Sequence, residues 1–343
     1  MKSILEKLAL GQDLTCEEME KAMDTIATGK ADSTQIAVFL ALLRAKGETP
    51  AETHALVTVM LRYCHRVELP ANTKALDIVG TGGDGANTVN LSTAAAILAA
   101  SCGANVAKHG NRSASSKSGS ADVLESLGVP MLQPEHIAKC IKDANIAFMF
   151  APYFHPAMKH VTPVRRAMGI RTIFNVLGPL INPAGCKYAI IGVYTPALLE
   201  LFGQVLHGLG VEHALVVHCA GLDELNPIGN ADVVEVTRAK GCTRYTITPE
   251  QLGIPRCTLQ DLEGGDCEDN ARILKKIFEG GINCENAIGN TIAYNAGAGL
   301  YVYGLAGSIK DGYTMAKKAL SSGKALETLK QWANVAQSLH QQI

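Results

Sequence analysis

The chain has 343 residues, of which 47% are hydrophobic and 18% are charged, so it has enough material for a large core and about two domains. Lys and Arg number 31 against 32 Asp and Glu, which argues against a protein that binds nucleic acid or acidic membranes through bulk charge. Its ten cysteines lack zinc-site spacing and no apolar run is long enough to span a membrane, so we expect a reduced, soluble, cytoplasmic chain without a targeting segment.

Residues 1–70 are predicted to form a small helical domain, because the starts of their helices are chemically marked. Thr15 with Glu18, and Thr49 with Glu52, have the spacing of a capping box, in which each side chain satisfies a backbone N–H of the other. We expect helices near residues 163–183 to join this domain.

From about residue 75 the pattern changes to short apolar runs that alternate with helical stretches. The strand candidates are residues 75–80, 104–110, 187–194 and 213–221, and a helix is predicted between the last two. Strand, helix and strand at this spacing indicate parallel pairing, whereas residues 233–247 have the pattern of a hairpin. The sequence therefore predicts an α/β domain over residues 71–343, with a mostly parallel mixed sheet flanked by helices.

A glycine-rich turn, GTGGDG, follows the first predicted strand and begins at Gly80. It satisfies the G-x-G-x-x-G pattern of a dinucleotide site. That site needs an acid at the end of the second strand, but here the second strand leads into Lys108 and His109. Asp84 would also place a carboxylate beside pyrophosphate, which is favourable only if a cation or ribose hydroxyls lie between them. Both details argue against a dinucleotide site.

The helix that follows this turn opens with Asn90, Leu91, Ser92 and Thr93. The unpaired N–H groups of a first turn and the helix dipole favour an anion, and the Ser92 hydroxyl is a suitable oxygen ligand for Mg²⁺. Asn90 and Ser92 are equally well interpreted as plain helix caps. The pattern by itself leaves both interpretations open.

A second anion-type loop, KHGNRSASSKSGS, covers Lys108–Ser120 and places cations among hydroxyl groups and glycines. Such a composition is also typical of a flexible surface loop. This one lies between a predicted strand and a predicted helix, and ligands collect at the carboxyl ends of parallel strands. The position therefore favours phosphate binding, and two such loops so close together suggest one ligand with several phosphates.

Arg165 and Arg166 lie at what the sequence suggests is a helix start. Adjacent helical side chains point in different directions, so only one is expected to face a pocket, where a guanidinium would suit a planar carboxylate. An ordinary surface ion pair is the alternative. His155 and His160, five residues apart, fit neither a helical metal pair nor a nucleophile motif and are interpreted as structural.

Asp223 and Glu224 follow directly after the strand candidate that ends near residue 221. Two adjacent carboxylates in a turn are usually solvated. In a cleft that holds phosphates they would instead need a divalent cation between themselves and the ligand.

Taken together, GTGGDG, NLSTAAA, KHGNRSASSKSGSADVLE, HPAMKHVTPVRRAMGIRTIFNVLGPLINP and IAYNAGAGLYV resemble the anthranilate phosphoribosyltransferase family, in order and over nearly the whole chain. The related pyrimidine nucleoside phosphorylases share the architecture but carry other residues where this chain has KHGNR. The segment Leu225–Asp232 is less typical of the family, and it leaves the geometry of the loop after the acid pair open.

The resemblance implies transfer of the phosphoribosyl group of 5-phosphoribosyl 1-diphosphate to the amine of anthranilate, with release of diphosphate, in tryptophan biosynthesis. It also implies a homodimer formed through the helical domain, domain closure over the ligands, and two Mg²⁺ per subunit. Ser92 would ligate one ion, and Asp223 with Glu224 the other. No covalent nucleophile, nucleic-acid partner or membrane association is expected.

By the same resemblance, anthranilate would contact Gly80, Asn111 and Arg166. The phosphoribosyl diphosphate would contact the two loops and the helix start, through Gly80, Gly83, Asp84, Thr88, Asn90, Leu91, Ser92, Thr93, Lys108, His109, Gly110, Asn111, Arg112, Ser113, Ala114, Ser115, Ser116 and Ser120. Two alternatives remain, a pyrimidine nucleoside phosphorylase-like enzyme and a non-catalytic relative that binds nucleic acid. The net charge of -1 speaks against the second.

Overall fold

The computed structural model describes residues 1–113 and 117–342. Within them, the strands are β1 (Leu76–Gly80), β2 (Val106–Gly110), β3 (Ile146–Phe150), β4 (Tyr188–Gly192), β5 (His213–Cys219), β6 (Ala231–Thr237) and β7 (Gly241–Ile247). The α-helices of the same residues are α1 (Lys2–Ala9), α2 (Cys16–Ala27), α3 (Ser33–Lys46), α4 (Pro50–Arg62), α5 (Leu91–Ser101), α6 (Ser120–Ser126), α7 (Pro134–Ala144), α8 (Ala151–Phe154), α9 (Met158–Met168), α10 (Leu199–Gly208), α11 (Cys267–Phe278), α12 (Ala287–Tyr303), α13 (Ile309–Ser321) and α14 (Lys324–His340).

The N-terminal helices begin where the capping residues predict. Thr15 and Glu18 form a complete capping box at α2, and Thr49 and Glu52 form another at α4, where Pro50 occupies the first helical position. Glu52 is fully buried, and it also accepts a hydrogen bond from Lys46 at 2.8 Å. One side chain therefore fixes both the helix start and the preceding turn.

The sheet has the order β3-β2-β1-β4-β5-β6-β7 in the described residues. The first five strands of this order pair in parallel, and β6 and β7 pair antiparallel, so the predicted mostly parallel mixed sheet and the predicted hairpin are both confirmed. Strand β3 was not predicted from the sequence. Its five apolar residues, IAFMF, carry the signal of a fully buried strand, but only Asn145, and no Gly or Pro, separates them from the preceding helix.

Two hydrophobic clusters cover the two faces of the sheet. One cluster joins one sheet face to helices of the α/β part, such as α5 and α12. The other joins the opposite face to α10 and to the N-terminal helices, and it extends into α9, which packs against α2 and α3. The fold is the predicted helical N-terminal domain with a large α/β domain. None of the described helices is long and apolar enough to cross a membrane.

Five strands end at the same edge of the sheet, because β1 to β5 all pair in parallel. Their last residues are Gly80, Gly110, Phe150, Gly192 and Cys219. The segments that leave these strands carry the residues that the sequence analysis selected. This edge is where an open α/β sheet binds its ligand.

Candidate active site

The glycine-rich turn after β1 is held at three successive residues by three different elements. Thr81 donates its N–H to the Gly192 carbonyl at 3.0 Å, and the Gly82 N–H donates to Asp223 Oδ2 at 2.6 Å. The Gly83 carbonyl accepts a hydrogen bond from Arg171 at 2.8 Å. Gly82 and Gly83 have φ angles of 67° and 85°, which L side chains rarely adopt, so the turn requires glycine there.

The acid pair lies against this turn. Asp223 is only 8% exposed, and Gly80 and Gly192 leave no room for a side chain next to it, since a Cβ on Gly80 would overlap the Asp223 carboxylate and one on Gly192 its carbonyl oxygen. Glu224 keeps some exposed surface, and its Oε1 accepts the Ser92 N–H at 3.0 Å. The acids therefore tie the ends of β4 and β5 to the start of α5.

Three carboxylates, those of Asp84, Asp223 and Glu224, lie close together at this turn. Burial raises the pKa of Asp223 and of Glu224 above their ordinary values. The neighbouring Asp84 carboxylate raises the pKa of Asp223 further, and Asp223 and Asp84 together raise that of Glu224. Within the described residues, no three His, Cys, Asp or Glu side chains are grouped so as to enclose a metal ion. The acids can therefore contribute some ligands to a hard cation, while a bound diphosphate and water would have to supply the others.

Two buried asparagines fix the turn that contains the acid pair and so settle the geometry of the less typical segment after it. Asn226 donates to the carbonyls of Cys219 and Glu224 at 2.9 and 3.0 Å. Asn295, on α12, accepts the Leu225 N–H at 3.1 Å and donates to the Leu225 carbonyl at 2.7 Å. The sequence analysis assigned no role to either asparagine, although Asn295 lies in the IAYNAGAGLYV segment.

Lys108 and His109 point to opposite faces of β2, as successive strand residues do. Lys108 is 1% exposed, and its Nζ donates to the Ile78 carbonyl at 2.5 Å and to Ser92 Oγ at 3.4 Å. Burial lowers the pKa of Lys108, and the charges of Asp77, Glu224 and Asp223 oppose that effect. Its cation thus lies beside the start of α5, at the sheet edge where the parallel strands end.

The side chain of His109 lies away from the acid pair. Its Nδ1 is 3.1 Å from the Gly178 carbonyl oxygen, and its ring contacts that of His155 edge to face at 5.1 Å. Burial lowers the pKa of His109 to about 4 and that of His155 to about 3. Both rings are therefore neutral, and His155 has the structural placement that the sequence analysis expected.

The second anion-type loop is anchored by one carboxylate. Asp122, in the first turn of α6, accepts the backbone N–H groups of Ser113 and Gly119 at 3.1 and 2.9 Å. Arg112 is bonded to Asp122 and to Glu125, both at 2.8 Å, rather than directed at the acid pair. Ser120 begins α6.

The backbone of the same loop lies next to β2. Asn111 accepts the Ala121 N–H at 3.2 Å, and a Cβ on Gly110 would lie 2.8 Å from the Phe148 ring. The predicted contacts of Ala114, Ser115 and Ser116 fall outside the described residues.

At the start of α5, Asn90 precedes the helix but makes no side-chain cap bond, so the plain-cap interpretation fails for this residue. Leu91 is fully buried, and Thr93 is 1% exposed with a hydroxyl that has no hydrogen-bond partner. Thr88 pairs with Glu263 in an isolated antiparallel bridge. The first residues of α5 are thus packed into the protein interior, and the segment before them is paired with the segment before α11.

The arginine pair lies elsewhere than expected. Arg165 and Arg166 are in the last turn of α9, not at a helix start, because the helix already begins at Met158 and continues through Pro163. Arg166 is exposed, while Arg165 is half-buried with an unpaired Nε.

Arg171, three residues beyond α9, is the arginine that reaches the glycine-rich turn. Its guanidinium also lies over the Tyr194 ring at 5.1 Å. Arg171 was not predicted from the sequence to be a site residue. The only available signal was its place in the GIRT segment, next to the arginine pair.

Known protein families match both the helical part and the α/β part of the chain. The helical bundle domain of a glycosyl transferase family matches residues 2–64, and the a/b domain of a glycosyl transferase family matches residues 72–326. The anthranilate phosphoribosyltransferase of Chlamydia caviae is 44% identical over 99% of this chain and 97% of its own. The crystal structure of the Thermus thermophilus enzyme covers 97% of this chain and 99% of its own, with 40% identity and a TM-score of 0.91.

The Saccharomyces cerevisiae enzyme, solved in complex with PRPP and Mg, is 30% identical over 98% of both chains, with a TM-score of 0.89. Identity and shape thus extend over both domains and over the sheet edge that carries the two loops and the acid pair. The chain belongs to the anthranilate phosphoribosyltransferase family.

Proposed function

We propose that this protein transfers the phosphoribosyl group of 5-phosphoribosyl 1-diphosphate to the amine of anthranilate, releasing diphosphate, as a step of tryptophan biosynthesis. The observation that carries the proposal is the convergence of the glycine-rich turn, the start of α5, the buried Lys108 and the acid pair at one sheet edge. The relatives named above carry the same activity in their names.

The diphosphate and ribose are assigned to the two loops and to the start of α5. Lys108 supplies a buried positive charge, and the backbone of Asn90–Thr93 presents the positive end of the helix dipole. Gly80, Gly83, Asp84, Thr88 and the segment His109–Ser113 with Ser120 complete the proposed site. His109 would contribute through its backbone, because its side chain faces His155.

Mg²⁺ fits the residues present. The Asp84 carboxylate lies close enough to raise the pKa of Asp223 and of Glu224, and a divalent cation would remove that repulsion. We assign one ion to Ser92 and a second to Asp223 with Glu224. When bound, Mg²⁺ would neutralise the charge that develops on the departing diphosphate.

The protein's own part in the reaction is to bind and orient the substrates. Breaking the anomeric C–O bond builds positive charge on the ribose and negative charge on the diphosphate, and Lys108 and the first turn of α5 stabilise the negative charge where it develops. The amine of anthranilate attacks as a neutral nucleophile. No covalent intermediate is needed, so holding the amine near the anomeric carbon supplies much of the acceleration.

Anthranilate is assigned to Gly80, Asn111 and Arg166, with Arg166 as the partner of its carboxylate. Arg166 is exposed, so its guanidinium is accessible to a ligand. Residues 1–70 and 71–343 are proposed as the two domains. A homodimer through the helical domain remains part of this proposal.

The decisive experiment follows the loss of anthranilate fluorescence in purified protein after addition of 5-phosphoribosyl 1-diphosphate and Mg²⁺. Loss that requires both additions supports the transferase. No loss with folded protein contradicts it. Phosphorolysis of thymidine or uridine in a parallel assay would then identify a nucleoside phosphorylase.

A further inference from the structure

Asn270 is a buried polar residue that neither the proposed reaction nor the sequence analysis uses. It lies in the first half of α11 and is 1% exposed. Its Nδ2 donates to Asn90 Oδ1 at 2.9 Å, and its Oδ1 accepts the Gly265 N–H at 2.8 Å. Because unmade bonds of a buried amide are costly, these two contacts fix the orientation of the side chain.

The first contact acts on the residue that precedes α5. An asparagine at this position would ordinarily accept an N–H of its own helix, but Asn90 does not. Its Nδ2 donates to the Ser118 carbonyl at 3.1 Å, and its Oδ1 accepts both Ser118 Oγ at 3.1 Å and Asn270. Asn90 therefore ties the start of α5 to the second anion-type loop, and Asn270 determines which way its amide faces.

The second contact, with the Gly265 N–H, ties Asn270 to the segment that precedes α11. The segment before α11 pairs with the segment before α5, since Val89 donates to the Leu262 carbonyl at 3.0 Å and Gly264 donates to the Asn87 carbonyl at 2.9 Å. A Cβ on Gly264 would lie 2.6 Å from Asn270 Oδ1 and 2.8 Å from the Val89 nitrogen. The two segments are therefore packed without spare space around the Asn270 amide.

We propose that Asn270 is a positioning residue for the phosphoribosyl diphosphate site, an inference that rests on the function proposed above. It acts through Asn90. By orienting the Asn90 amide, it allows that side chain to hold the start of α5 and the second anion-type loop in fixed positions relative to each other. If Asn270 is removed, Asn90 is free to turn and cap its own helix. That rotation would break the two hydrogen bonds between Asn90 and Ser118, and it would change the position of the second anion-type loop relative to the start of α5.

The test measures binding of 5-phosphoribosyl 1-diphosphate in the presence of Mg²⁺ by calorimetric titration, together with the KM for each substrate. Asn270→Ala should weaken the binding of 5-phosphoribosyl 1-diphosphate about tenfold, which is the scale of one buried hydrogen bond. The KM for anthranilate should change by less than about twofold, since its proposed contacts are untouched.

A double-mutant cycle separates positioning from general destabilisation. If Asn270 acts through Asn90, Asn270→Ala should have almost no further effect on binding in an Asn90→Ala background. The control is Tyr303→Phe, which removes a mostly buried hydroxyl bonded to Asn105 and Lys74 at the opposite end of the sheet. It should lower Tm without changing diphosphate affinity.

Three results would overturn the inference. They are full additivity in the cycle, an unchanged affinity in Asn270→Ala, and an equal loss of affinity in Tyr303→Phe. If the wild type binds the diphosphate but does not consume anthranilate, the proposed reaction fails while the titration still decides the role of Asn270. A wild type that does not bind the diphosphate contradicts both.

Discussion

The buried pair of His109 and His155 should make the protein sensitive to acid. Burial holds both rings neutral in the folded state, and it lowers the pKa of His155 from an ordinary value of 6.5 to about 3. The neighbouring His109, and to a lesser extent His65 and Arg66, act in the same direction, while the backbone of Ile181 opposes them. The unfolded chain has no such burial and takes up its proton near pH 6.5.

The magnitude follows from proton linkage. Because the unfolded state binds the proton more tightly, stability contributed by the neutral ring is present above pH 6.5 and is lost as the pH falls toward 3. At pH 4.5 the loss from His155 is about two pH units at about 1.4 kcal/mol each, or about 2.7 kcal/mol. For a chain of this size, that is roughly 4 °C in Tm.

The assay compares Tm at pH 7.5 and pH 4.5 for the wild type and for His155→Phe. The variant retains a ring but has no group to protonate, so its Tm should fall about 4 °C less over this range. Other titrating groups, including the acid pair, contribute equally to both proteins and cancel. His207→Gln, on the exposed side of α10, should behave as the wild type does. An identical fall in Tm for wild type and His155→Phe would refute the reasoning.

Three further outcomes are expected at the candidate site. Arg166→Ala should raise the KM for anthranilate much more than that for the diphosphate, because it removes a carboxylate partner, and equal changes in the two steady-state values would contradict the assignment. Asp223→Asn combined with Glu224→Gln should weaken the Mg²⁺ dependence and lower kcat by about tenfold or more, whereas an unaltered Mg²⁺ titration would argue against these ligands. Gly192→Ala should displace the acid turn, since the added Cβ would overlap the Asp223 carbonyl oxygen. It should cost about 1–3 kcal/mol of stability or more, and unchanged thermal unfolding and activity would show that the turn can move aside.

The polar residues that could be predicted from the sequence differ from those that could not in whether their local sequence indicates their role. Lys108, Asp223 and Glu224 stand in short, unusual local contexts that directly follow strands, so their chemistry is visible in the chain itself. Arg171 and Asn270 instead bind residues that are distant in the sequence. Arg171 bonds to Gly83, which is 88 positions away, and Asn270 bonds to Asn90, which is 180 positions away. An isolated arginine after a helix, or an isolated asparagine within one, carries no local sign of such a partner.

The sequence alone determined the secondary structure that depends on neighbouring residues. Capping boxes fixed the starts of α2 and α4, and alternating strand and helix patterns determined a parallel sheet whose loops gather at one edge. These features follow from short-range hydrogen bonding and from the direction of parallel strands.

Only the tertiary structure decided how the side chains at that edge are used. It directs Lys108 toward α5 and His109 toward His155, commits Arg112 to two acids, and places Asp223 against two glycines. Each of these outcomes depends on which distant segment fills the space next to the residue. Burial and close approach are properties of the packed chain, so the pKa values and contacts of the site arise only when the strands are assembled.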